Sequence, residues 1–104
     1  MNIIDYATSG GKNLIEEYLD DLPKKEQLRG YQIRDKIETE GMVALESVVT
    51  RQLRGKLWEI KFYDNRMMYV VQDGDTIYFL HACKKGKPKI TTSTQQSRGQ
   101  RNLA

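Results

Sequence analysis

Leu57-Trp58-Glu59-Ile60-Lys61-Phe62-Tyr63-Asp64-Asn65-Arg66-Met67-Met68-Tyr69-Val70-Val71-Gln72-Asp73-Gly74-Asp75-Thr76-Ile77-Tyr78-Phe79-Leu80-His81-Ala82-Cys83 is the most regular segment of the chain. Its first seven residues alternate. Trp58, Ile60 and Phe62 fall on one face of a strand, and Leu57, Glu59, Lys61 and Tyr63 on the other. Asp64-Asn65 reads as a two-residue turn, Arg66 to Gln72 as a second strand, and Asp73-Gly74 as a second tight turn. Thr76 to Cys83 is then a third strand. Trp58 reads as core.

The same patterns extend toward the N-terminus. Met1 to Tyr6 is short and partly apolar, as expected of an edge strand, and Ser9-Gly10-Gly11 is a turn. Leu14, Ile15, Tyr18, Leu19 and Leu22 make one apolar stripe, so Lys12 to Leu22 is expected to be helical. Pro23 ends that helix and suits the first turn of the next. The second helix is expected from Lys24 to Glu40, carrying Leu28, Tyr31, Ile33 and Ile37, with Gly41 as its stop. Met42 to Val49 accepts either a helical turn or a strand. The expected fold is α+β: a short strand, a two-helix hairpin, then a three- to four-stranded antiparallel sheet.

Toward the C-terminus the composition changes. Lys84 to Lys89 is basic, and Ile90 to Ala104 is polar with no apolar stripe. The expected division is one domain over residues 1–89 and a polar tail over 90–104 that frays or stays disordered.

With 104 residues, 38% of them hydrophobic and 30% charged, the chain has room for one small core. No apolar run is long enough to span a bilayer, and Met1 to Tyr6 lacks the basic start of a secretory signal. A cytoplasmic location is expected, and one cysteine, Cys83, suits it. One cysteine and one histidine, His81, build no metal site by themselves, and no phosphate-cradling glycine loop is present. No cofactor or metal is expected.

Charge is unevenly placed. Residues 1–50 carry 6 Lys/Arg against 10 Asp/Glu, whereas residues 51–89 carry 9 Lys/Arg against 4 acids. A one-sided basic surface attracts phosphate backbones.

The two turns give an estimate of register. With Asp64-Asn65 and Asp73-Gly74 as two-residue loops, Tyr63 faces Arg66, Lys61 faces Met68, Gln72 faces Asp75 and Arg66 faces His81. Lys61, Tyr63, Arg66, His81 and Cys83 are then expected on one face near one end of the sheet, with Lys84 and Lys85 continuing from that end. Such a set suits metal-free RNA cleavage by a 2′-hydroxyl. That reaction needs a base, an acid for the leaving 5′-oxygen, and cations around the phosphorane. Arg66 offers a planar fork for phosphate oxygens. Lys61 and Lys84 offer point charges, histidine is the side chain type that exchanges protons near neutrality, and Tyr63 can stack on a base. A histidine on a strand is more often structural, and a short basic run is more often only solvated. It is the joint placement that singles these residues out.

Several segments together resemble one family. Gln52 to Phe62 is similar to the L-x-G-x-L-[WY]-E-[LI]-[RK] segment of phage-derived HigB-like toxins in the RelE/ParE superfamily. Asn65 to Tyr69 resembles their x-[YF]-R-[IV]-x-[YF] strand, Thr76 to Lys85 their strand ending in K-K, and Leu14 to Pro23 their first helix. The resemblance runs over residues 12–87. It implies a RelE-like fold and the toxin of a type II toxin–antitoxin module, a ribosome-dependent mRNA endonuclease that inhibits translation. The implied partners are a HigA-like helix-turn-helix antitoxin, the ribosome and mRNA, with a toxin–antitoxin heterotetramer as the expected assembly. Carried onto this chain, the basic catalytic set is Lys61, Arg66 and Lys84, with Arg54, Lys56, Tyr63, His81 and Lys85 as RNA-binding candidates. The family's K-K is followed by an amphipathic basic helix. Gly86 to Ala104 lacks that periodicity, so the helix is expected to be missing or replaced. A ParE-like gyrase inhibitor, a degenerate toxin that only binds its antitoxin, and a general RNA-binding module are the competing readings.

Overall fold

The computed structural model describes residues 1–85. The chain runs β1 (Asn2–Asp5), α1 (Leu14–Asp20), α2 (Lys24–Glu40), a 3-10 segment (Gly41–Ser47), β2 (Val49–Arg54), β3 (Leu57–Phe62), β4 (Asn65–Gln72) and β5 (Thr76–Lys84). The five strands form one sheet in the order β1-β5-β4-β3-β2. Strands β2 to β5 are an antiparallel meander, and β1 joins the β5 edge in parallel. The α+β architecture expected from the sequence is present. The expectations for residues 90–104, and for a C-terminal helix beyond Lys85, lie outside the described residues.

The helices begin and end for local reasons. Asn13 caps α1: its side-chain oxygen accepts from the N–H groups of Ile15 and Glu16, both at 3.0 Å. With this cap α1 starts at Leu14, two residues later than the expected Lys12. Helix α2 starts after Pro23 and stops at Gly41, whose φ of 76° is the left-handed conformation that favours glycine. The ambiguous stretch after it resolves into both readings in turn, a 3-10 helix to Ser47 and then strand β2.

Both helices lie on one face of the sheet. Ile60 and Phe62 of β3, Met67 and Tyr69 of β4 and Ile77 and Phe79 of β5 meet Ile15, Leu19, Leu22, Ile33 and Ile37 in a single core. Trp58 packs against this core without being fully buried. Gly30 of α2 is buried where a methyl group would come within 2.7 Å of Leu19 and 3.2 Å of the Phe62 ring. Its lack of a side chain therefore sets how closely α2 approaches α1 and the sheet.

The core also holds an ion pair that periodicity does not reveal. Arg34 of α2 donates two hydrogen bonds to Asp5 of β1, at 2.8 and 2.7 Å, and its guanidinium stands 5.1 Å from the Phe79 ring centre. Asn13 adds a third bond to Asp5 at 3.0 Å. One carboxylate thus ties together β1, α2 and the start of α1.

Register departs from the expectation at both turns. Phe62 pairs with Asn65 and Lys61 with Arg66, so the β3–β4 loop is Tyr63-Asp64 rather than Asp64-Asn65. Tyr63 takes the left-handed conformation, φ 52°, and Asn65 turns inward to become fully buried. At the next turn Gln72 pairs with Thr76, leaving a three-residue loop in which Asp73 and Gly74 both have positive φ. An irregularity between Met68 and Tyr69 then leaves Leu80 without a direct partner on β4. Arg66 consequently faces Cys83, and His81 faces Met68.

Candidate functional site

Side-chain direction alternates along a strand, so a shift by an even number of residues keeps each side chain on its face. Both register corrections around Arg66 amount to two residues. Lys61, Arg66 and Cys83 therefore form one cross-strand row over β3, β4 and β5. Among the described residues no helix covers this face, because α1 and α2 pack on the other. His81 lies on the same face, diagonal to Arg66, a spacing of about 7–8 Å between such neighbours. It is exposed, whereas Lys61 and Arg66 are half-buried. Four of the five residues expected together are together. Tyr63 instead sits in the turn, 52% exposed, with Lys25 5.9 Å from its ring centre.

Lys84 is at the expected end of the sheet but on the opposite face. It pairs with Asn65, one step along from the Arg66–Cys83 pair. Its amine lies 3.4 Å from the Glu26 carboxylate on α2. Asn65 organises this second group. It accepts from the Tyr18 hydroxyl at 2.6 Å and donates to Glu26 at 2.9 Å and to the Phe62 carbonyl at 3.2 Å. The bond from Asn65, and after it the charge of Lys84, hold the Glu26 carboxyl below its ordinary range. Burial foremost, then Cys83 and Glu26, push the Tyr18 hydroxyl up to about 12, so it stays a donor. Lys84 is thus engaged on the helix side and stands apart from the Lys61–Arg66 row. Lys85 is exposed after β5, its backbone N–H bonded to the Asp64 carbonyl.

Arg54 and Lys56 belong to the other end of the sheet. Lys56 is five residues before Lys61, a strand distance of about 17 Å. It lines an apolar cleft of about 520 Å³ with Met42, Leu45, Trp58, Tyr69 and Val71. A smaller cavity of about 310 Å³ adjoins the cation row and is lined by Arg29, Val48, Val49, Lys61, Phe62 and Tyr63.

Two residues on the cation face were not singled out from the sequence. Glu59 is fully buried between Arg51 and Arg66, 3.2 Å from the Arg51 Nε and 3.6 Å from an Arg66 terminal nitrogen. Alternation placed Glu59 beside Lys61, but an acidic residue among cations offers no phosphate contact, and burial of a strand residue on an uncovered face is not written in the pattern. Arg51 is paired directly with Glu59 across β2 and β3.

Among the described residues no three of His, Cys, Asp and Glu come together as a metal site, and no helix is long and apolar enough to cross a membrane. What the uncovered face offers chemically is a row of cations, one histidine beside it, and a cavity at its end. No curated protein matches the chain. The model of one family, described as "Phage derived protein Gp49-like (DUF891)", matches residues 17–101, from the first helix through the whole meander. The chain therefore belongs to the phage-derived Gp49-like family.

Proposed function

We propose that this protein is the toxin of a type II toxin–antitoxin module, a HigB-like member of the RelE/ParE superfamily that cleaves mRNA on the ribosome. The observation that carries this reading is the direct pairing of Lys61 with Arg66 on the uncovered sheet face, with His81 beside them. Membership of a phage-derived family and the motif resemblance over residues 12–87 support it.

In this reading the RNA 2′-oxygen attacks phosphorus, the bond to the 5′-oxygen breaks, and a cyclic phosphate and a 5′-hydroxyl result. Charge builds on the non-bridging oxygens during the step, and fixed cations stabilise it most where water is partly excluded. Arg66, half-buried, holds those oxygens through its fork. Lys61 supplies the second positive charge directly across the strand pair. His81 is the proton carrier that geometry offers at this row. The Tyr63 ring, exposed at the turn beside the smaller cavity, stacks on a base. Arg54, Lys56 and Lys85 act at longer range by attracting the phosphate chain. Lys84 supports the site through Glu26 and Asn65 and does not touch the reacting phosphate. An antitoxin of the HigA-like helix-turn-helix type neutralises the protein, with the heterotetramer as the assembly.

The test is inducible expression in a bacterium, comparing wild type with Lys61→Ala/Arg66→Ala, with growth and mRNA 5′ ends as readouts. Wild type arrests growth and leaves new ends inside translated messages, and the variant does neither. Growth arrest without new ends would favour gyrase inhibition. Absence of both effects with a folded wild type would favour a chain that only binds its antitoxin.

A further inference from the structure

The buried carboxylate on the cation face has no role in the chemistry above, although it sits at the centre of that face. Glu59 has no exposed surface, and among the described residues neither of its oxygens accepts a hydrogen bond of good geometry. Its charge is balanced by two guanidiniums on opposite sides, Arg51 on β2 and Arg66 on β4. The close approaches are from Nε of Arg51, at 3.2 Å, and from a terminal nitrogen of Arg66, at 3.6 Å. The Arg51 side chain is 52% exposed, so its guanidinium reaches solvent while it faces Glu59. The Arg66 Nε is buried and has no hydrogen-bond partner among the described residues.

Burying a carboxylate is costly unless nearby cations compensate it. A carboxylate kept solely for stability would be expected to use its hydrogen-bonding capacity. Glu59 does not. What its position does is hold two planar cations on either side of it, the Arg51 side chain half exposed and the Arg66 side chain partly so. Planar donors of this kind match phosphate oxygens, and holding them in place before the ligand arrives lowers the ordering cost of binding.

We infer that Arg51 and Arg66 form a two-phosphate clamp for single-stranded RNA, with Glu59 as the positioning residue that aligns both. The inference rests on the RNA-cleaving reading of this face. Arg66 holds the reacting phosphate, and Arg51 holds its neighbour along the chain. The RNA strand is thereby directed across β3 toward the β2 edge.

Charge gives a discriminating sign. Glu59→Gln adds one unit of positive charge to the face, so electrostatic attraction alone would tighten RNA binding. Loss of alignment weakens it instead. The experiment measures binding of a short fluorescein-labelled single-stranded RNA by anisotropy across a salt series. The proteins are wild type, Glu59→Gln, Glu59→Asp and Arg51→Ala, each checked for folding by its thermal melt. A parallel titration with inorganic pyrophosphate follows the arginine Nε–H resonances of the wild type.

The expected result is about tenfold weaker binding for Glu59→Gln despite its added positive charge. For Arg51→Ala a salt slope lower by about one is expected, in a protein that still folds. Arg51 is exposed, so its variant keeps the test open if the Glu59 variants do not fold. Equal or tighter RNA binding by a folded Glu59→Gln, or an unchanged salt slope for Arg51→Ala, would overturn the clamp while leaving the RNA reading intact. If wild type does not bind RNA but pyrophosphate shifts both arginines together, the clamp stands and the RNA reading falls. If neither ligand binds, both fall.

Discussion

Asp5 and Glu59 are both buried carboxylates balanced by arginine, yet their surroundings differ. Asp5, on the helix side, accepts two hydrogen bonds from Arg34 and one from Asn13, all at 3.0 Å or less. Glu59, on the uncovered side, faces two arginines at 3.2 and 3.6 Å and accepts no hydrogen bond among the described residues. The first arrangement is closed, since every strong donor around it points inward to the carboxylate. The second is open, with neither carboxylate oxygen accepting a hydrogen bond among the described residues and the Arg51 side chain half exposed. A saturated ion pair suits a fold that must not change at that point. An unsaturated one suits a surface that must accept a further anion.

The sharpest way to break this comparison is to remove each charge in turn. Asp5→Asn leaves Arg34 buried and unmatched, with an expected loss of about 3–5 kcal/mol in a denaturant titration. Glu59→Gln is expected to cost about 1 kcal/mol, because Arg51 and part of Arg66 reach water. Equal losses would erase the distinction between a closed and an open pair.

Asn65 comes next in size. Its removal strands the Tyr18 hydroxyl and part of the Glu26 carboxylate, so Asn65→Ala is expected to lower stability by about 2–3 kcal/mol in the same titration. Asn65→Asp is a finer probe, because it would set a second carboxylate against Glu26. It should destabilise more at neutral pH than in acid.

Glu26 carries a smaller, pH-dependent share. Its folded carboxyl titrates below the ordinary value, so the folded state binds its proton less readily than the unfolded chain does. The stabilisation is therefore complete above the ordinary carboxyl pKa and is lost as pH falls through the depressed folded one. A stability–pH profile of Glu26→Gln should be flatter than wild type in that acid window. Parallel profiles would remove Glu26 from the account.

The smallest effect is expected at the turn. Tyr63 has positive φ, so Tyr63→Gly relieves backbone strain while losing the ring's contact with Lys25. The net change in stability should stay within about 1 kcal/mol. A larger loss would mean that the ring is a packing element and not a surface for a base.

These particulars also show what the sequence makes legible. Alternation from Leu57 to Phe62 and the stripe from Leu14 to Leu22 place the core face and both helices, because apolar period follows backbone geometry directly. Turn identity is harder. Asp64-Asn65 has the better turn chemistry, but burying Asn65 against Tyr18 and Glu26 outweighs the cost of positive φ at Tyr63. The cation row survived this error only because each slip was two residues and preserved side-chain parity. Lys84 did not join it, since a residue adjacent to Cys83 must point the other way. Arg34, Glu59 and Asn65 were illegible as partners. Each is polar and buried by contacts between distant segments, which no local pattern records.

The most direct test of the central claim compares Arg66→Ala with Lys84→Ala on purified translating ribosomes, reading mRNA cleavage by primer extension. If the uncovered face is the RNA-cutting site, Arg66→Ala should lose about a hundredfold or more in rate. Lys84→Ala should keep most of its activity. Full activity in Arg66→Ala, with loss confined to Lys84→Ala, would place the chemistry on the helix side and contradict the account.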